Sequence, residues 1–140
     1  AQRERGAFMG FKPYEELIPE FQKADAFFLP MGFDSSAALI ERTSFKTKFL
    51  DYLAFEKPIL IWGPEYCTAI RAARQHDAAY CVTDPDPAVV IRVMQEIAQN
   101  RELRDRLCQG VRKAKAEKFN NEAVYAVLKS GLESIGYSHA

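Results

Sequence analysis

Along the chain, short apolar runs alternate with stretches whose apolar positions recur at helical spacing, the pattern of a parallel sheet covered by helices. Ala26-Phe27-Phe28-Leu29 is apolar at successive positions, as a strand buried on both faces should be, and Pro30 stops it. Pro58 to Trp62 has the same character before Gly63-Pro64, Ala79 to Val82 makes a last short strand, and Ala7-Phe8-Met9-Gly10 reads as the end of an earlier one. Between them, Leu17, Ile18 and Phe21 predict a helix from Tyr14 to Lys23 with Pro13 near its first turn. Ser36 to Arg42 reads as an irregular helical turn. Phe45, Phe49, Leu53 and Ala54 repeat on one stripe, predicting a helix from Phe45 to about Phe55 with Ser44 as its N-cap. Tyr66 to Gln75 is predicted helical.

Three further helices follow the last strand. Asp86-Pro87 opens the first, which carries Val89, Val90, Val93, Met94 and Ile97; Asn100 caps the second, with Leu103, Leu107, Val111 and Ala114. Asn120 or Asn121 caps the third, with Val124, Leu128 and Ile135. The expected fold is therefore α/β: a Rossmann-like parallel sheet with helices on both faces and a C-terminal helical tail over residues 86–140. One domain over residues 1–140 is the natural count for 140 residues of which 48% are hydrophobic.

Charge narrows the functional classes. Nineteen basic and nineteen acidic side chains leave no formal net charge, which argues against a nucleic-acid surface built from bulk charge. Arg101 to Lys118 is the exception, with seven basic against three acidic residues. A solvated helix face is the simpler reading of it, and a weak membrane-surface contact the alternative. No apolar run approaches the ~20 residues that span a bilayer. Cys67, Cys81 and Cys108 include no C-x-x-C pair, so neither a disulfide framework nor a metal site is expected, and the odd count fits a reducing, cytoplasmic compartment. Cys81 and Cys108 read as small buried hydrophobes. The start at Ala1, without an initiator Met or an apolar secretory core, reads as a cut point in something longer.

In an open parallel sheet, ligands bind at the carboxyl ends of the strands, where loops enter helix N-termini. Leu29 to Asp51 is the richest such stretch. The predicted first turn offers the backbone N–H groups of Phe45, Lys46 and Thr47 to an anion, and Lys46 and Lys48 add cationic side chains. Asp51 lies three residues after Lys48 on the same face. Lysine and backbone can take phosphate oxygens while the carboxylate takes sugar hydroxyls; a surface ion pair between Lys48 and Asp51 is the plainer alternative. His76 and His139 show no carboxylate arrangement suggesting a base, His76 reading as a helix C-terminal residue. Ser35 and Ser36 read as loop hydrogen-bonders and Trp62 as core.

The string Ser44-Phe-Lys-Thr-Lys48-Phe-Leu-Asp51-Tyr52-Leu-Ala-Phe-Glu-Lys57-Pro58-Ile-Leu resembles the K-x-x-E-Y-L-A-x-G-K-P-V element of retaining nucleotide-sugar glycosyltransferases of the GT-B fold, the group 1 or family 4-like type. Phe8-Met9-Gly10-Phe11 with Glu16-Leu17, Ala24-Asp25-Ala26-Phe27-Phe28-Leu29-Pro30, Asp84-Pro85-Asp86-Pro87, the Asn100 to Leu107 run and Lys118-Phe119 resemble further elements of the donor-binding domain, in the right order. The resemblance implies a nucleoside diphosphate sugar as donor, no metal or other cofactor, Asp51 on the donor ribose and Lys48 near the diphosphate. It also implies that the loop after Pro30 and Ser44 to Thr47 face sugar and phosphates, with Phe11 near the base. An acceptor-binding domain should precede this one, so the 140 residues alone are expected not to transfer sugar.

The departures from that pattern are specific. Counting eight positions back from Asp51 reaches Thr43 rather than a second acid, and the nearest acid is Glu41. Asp51 is one methylene shorter than the usual glutamate. Glu56 stands where glycine usually precedes Lys57-Pro58, so that helix should end without a left-handed glycine cap. No catalytic acid or base is assigned. A non-catalytic Rossmann-like interaction or regulatory domain, or a related sugar-nucleotide epimerase, remains as an alternative.

Overall fold

The computed structural model describes Gly6, residues 10–134 and Gly136. Helix α1 (Tyr14–Lys23) leads into β1 (Phe27–Pro30), then a single 3-10 turn at Ser35–Ala37 continues into α2 (Ala38–Thr43). There follow α3 (Thr47–Leu53), β2 (Ile59–Trp62), α4 (Thr68–Gln75), β3 (Tyr80–Val82), α5 (Pro87–Gln99), α6 (Arg101–Glu117) and α7 (Asn121–Ser134). The strand expected at Ala7 to Gly10 falls mostly outside the described residues.

The three strands pair in parallel in the order β1-β2-β3, with Phe28 opposite Leu60 and Leu60 opposite Tyr80. Alternate side chains feed two cores, which is why the strands read as continuous apolar runs. On one face Phe27, Leu29, Ile59 and Ile61 pack with Phe49 and Leu53 of α3, Ile70 of α4, and Val111 and Ala114 of α6. Phe21 of α1 joins this face edge-on to Phe27 and Phe55. On the other, Leu60 and Val82 pack with Val90, Val93 and Ile97 of α5 and Leu103 and Leu107 of α6. Helix α6 thus spans both cores. The fold is a Rossmann-like parallel sheet with helices on both faces and a C-terminal helical segment.

The caps at Asp86 and Asn100 form as predicted, accepting from the Ala88 and Leu103 amides at 2.9 and 3.0 Å. Ser44 does not cap α3. The helix begins three residues later, at Thr47, with Lys46 in the N-cap position and no side-chain capping bond. The Ser44 carbonyl instead accepts from the Thr68 hydroxyl at 2.7 Å. Phe45, expected inside the helix, packs from outside it on Phe49 and Phe119, with ring centroids 6.1 and 5.9 Å away.

As expected, no glycine caps α3: its C-cap, Ala54, is right-handed, and the left-handed residue is Glu56, two positions further on, with φ 56°. Its carboxylate reaches Lys115 and Arg112 of α6 at 2.8 and 3.1 Å. A second left-handed residue, Asp77 with φ 51°, turns the chain from α4 toward β3. There α6 comes so close that a Cβ on Gly110 would fall 2.0 Å from the Asp77 carbonyl oxygen.

Candidate functional site

The carboxyl ends of β1, β2 and β3 release three loops to one edge of the sheet: Met31 onward, Gly63 to Cys67, and Thr83 to Asp86. Close approach of the first two shapes this edge, since a Cβ on Gly63 would lie 2.9 Å from the Met31 Cβ. Trp62 closes the third side, its indole N–H donating to the Asp84 carbonyl at 2.7 Å while its ring lies near Phe28 and Phe33. Core packing expected for Trp62 is what it does.

Because α3 leads back to the start of β2, its first turn lies toward this edge. Lys48 and Asp51 are both exposed on it, one turn apart. Neither has an ion-pair partner among the described residues, so the surface pair between them does not form. The Asp51 charge, after burial, helps to raise the pKa of its neighbour Tyr52. Thr47 is the first exposed residue of the helix, whereas Thr43 ends α2 with its hydroxyl donating to the Leu39 carbonyl at 2.8 Å. The helix begins at Thr47, so the amides of Phe45 and Lys46 precede it. Of the three amides expected to form an anion-binding first turn, that of Thr47 lies within the helix and those of Phe45 and Lys46 do not.

Lys46 is engaged elsewhere. Its ammonium lies 3.0 Å from one oxygen of Glu41, whose other oxygen faces the Cys67 thiol at 3.8 Å. Glu41 is buried, at 7% exposure; the sequence shows it only as the acid nearest Thr43, because the burial arises from contacts 26 residues distant. Burial first, and then the adjacent Glu41 carboxylate, push the Cys67 thiol up to about 11, so it stays protonated. Phe11, at 96% exposure, precedes α1 in chain without regular structure, and none of the described residues forms a base pocket around it.

Other candidates resolve plainly. Ser36 donates its amide to the Asp34 carboxylate, a local turn. His76 is the C-cap of α4, as expected, but it has the carboxylate partner that was not foreseen: Glu117 of α6, 3.6 Å from Nδ1. His139 lies outside the described residues. All three cysteines are free; Cys67 is buried, while Cys81 and Cys108 are only half-buried, against the expectation for both. The basic face of α6 is not simply solvated. Arg106 pairs with Asp77, Arg112 and Lys115 with Glu56, and Arg104 donates to the Ile97 and Ala98 carbonyls at the end of α5. Lys118 donates to Gln75 and Arg101 pairs with Asp105. Among the described residues no helix is long and apolar enough to cross a membrane.

Fold and site together define an α/β protein with a Rossmann-like sheet flanked by a short helix, α3, on which Lys48 and Asp51 have no ion-pair partner among the described residues. No protein-family model, curated protein or solved structure matches the chain.

Proposed function

We propose that this chain is the donor-binding part of a retaining GT-B glycosyltransferase, holding a nucleoside diphosphate sugar at the carboxyl edge of its sheet. Lys48 takes diphosphate oxygens and Asp51 the ribose hydroxyls; the acceptor, a polysaccharide or glycolipid precursor, belongs to a second domain. No metal is required, because lysine supplies the cation, and the enzyme works in the cytoplasm, in weak contact with the inner face of the membrane where its acceptor is a glycolipid. The observation that carries the reading is the exposure of Lys48 and Asp51 one turn apart, with no partner among the described residues to neutralise either. A lysine and a carboxylate one turn apart, without ion-pair partners among the described residues, are available to a ligand bearing both phosphate and hydroxyls.

The test is calorimetric titration of UDP, GDP and ADP into the 140-residue chain, with Lys48→Ala and Asp51→Ala in parallel. One of the three should bind, and each substitution should weaken it about tenfold, within the range for a charge-assisted hydrogen bond. Binding that neither substitution changes removes the assignment. The competing reading, a non-catalytic interaction domain, is favoured by the exposed Val124, Tyr125, Val127 and Leu128 of α7. It predicts no nucleotide binding at all.

A further inference from the structure

A carboxylate removed from water is strongly destabilising unless it is paired, so the surroundings of Glu41 call for a reason. Its two oxygens bridge Lys46 and the Cys67 thiol. Lys46 is the N-cap residue of α3 and makes no capping bond of its own. What grips the start of α3 is therefore Glu41, from the preceding helix. The same short segment is tied to the start of α4 on its other side. The Thr68 hydroxyl donates to the Ser44 carbonyl, the Arg71 guanidinium donates to the Arg42 carbonyl at 3.3 Å, and the Arg42 guanidinium sits 4.8 Å over the Tyr66 ring. Lys48 follows two residues beyond the anchored Lys46.

We propose that Glu41 is a positioning residue of the nucleotide site, acting through Lys46 to hold the first turn of α3, and with it Lys48, at the edge of the sheet; the inference rests on the nucleoside-diphosphate reading above. Glu41 itself touches no ligand. Its buried carboxylate is already occupied by the ammonium and the thiol, so it does not serve as the sugar-facing acid. The ion pair with Glu41 leaves the Lys46 side chain 28% exposed.

A double-mutant cycle tests this, with whichever of UDP, GDP or ADP the unsubstituted chain binds best as the probe. Glu41→Gln keeps the shape and removes the charge; Lys46→Met removes its partner. Each should weaken binding about tenfold, the double variant should be no weaker than either single one, and Glu41→Asp should recover part of the loss. An unchanged affinity in Glu41→Gln, within about twofold, overturns the proposal, as does a double variant in which the two losses multiply. Where circular dichroism shows that Glu41→Gln does not fold, Lys46→Met alone decides, and a loss under twofold overturns the proposal. Failure of the unsubstituted chain to bind any of the three nucleotides brings down the functional reading and this inference with it, whereas binding insensitive to Glu41 brings down this inference alone.

Discussion

At Glu56 two effects of similar size oppose each other. Left-handed backbone costs a residue with a Cβ about 1 kcal/mol relative to glycine, and Glu56 adopts it at φ 56°. Against this, its carboxylate is held by Lys115 and Arg112, which lower its pKa from the ordinary value. Both pairs are well exposed to solvent, so each contributes no more than about 0.5 kcal/mol. Glu56→Gly is therefore expected to unfold in urea within about 0.5 kcal/mol of the unsubstituted chain. Glu56→Gln, which keeps the left-handed backbone and loses the charge, should be less stable by about 0.5–1 kcal/mol near neutral pH. The pH dependence has a definite sign. A carboxyl whose folded pKa is lowered stabilises above its unfolded value of about 4.5, and that stability is lost as pH falls through the lowered folded value. The gap between the unsubstituted chain and Glu56→Gln should close in acid; a gap that persists unchanged at about pH 3 contradicts the ion-pair account.

Helix α6 is the element that joins both cores, and Gly110 is where it meets the turn between α4 and β3. Alanine there gains about 1 kcal/mol of helix propensity. It also places a Cβ where only 2.0 Å separates it from a backbone oxygen, which forces the helix away from Asp77. Overpacking should dominate, so Gly110→Ala is expected to destabilise by about 2 kcal/mol or more in urea unfolding; a change under about 0.5 kcal/mol means that α6 shifts freely. Leu107→Ala, at a fully buried position on the same helix, should cost about 2–5 kcal/mol. This element was legible in the sequence because its cap, Asn100, and its stripe of Leu103, Leu107, Val111 and Ala114 are all local signals. The start of α3 was not legible. Phe45 continues the apolar stripe, yet it reaches Phe49 and Phe119 from a residue outside the helix, so periodicity overran the true boundary. Of the candidate site, the shared face of Lys48 and Asp51 could be read from their spacing. The Glu41, Lys46 and Cys67 cluster could not, since it exists only once α2 and α4 meet.

Across the whole molecule, nineteen positive and nineteen negative side chains cancel, and most of the basic residues of α6 are engaged with other elements. That leaves the described residues without a broad positive face to gather anions. On the proposed reading, attraction for a diphosphate comes from local charges, chiefly Lys48, with Lys46 partly neutralised by Glu41 at 3.0 Å. An exposed lysine is screened as the Debye length falls from about 10 Å at 0.1 M salt to about 3 Å at 1 M. Nucleotide affinity measured over that range should therefore decline, and Lys48→Ala should remove most of the decline along with the affinity. Asp51→Ala should behave differently: it weakens binding through lost ribose hydrogen bonds while taking away a negative charge near the phosphates, so the dependence on salt remains. Equal salt dependence in the unsubstituted chain and Lys48→Ala would place the phosphates away from α3, and the site would then have to be sought elsewhere along the carboxyl edge of the sheet.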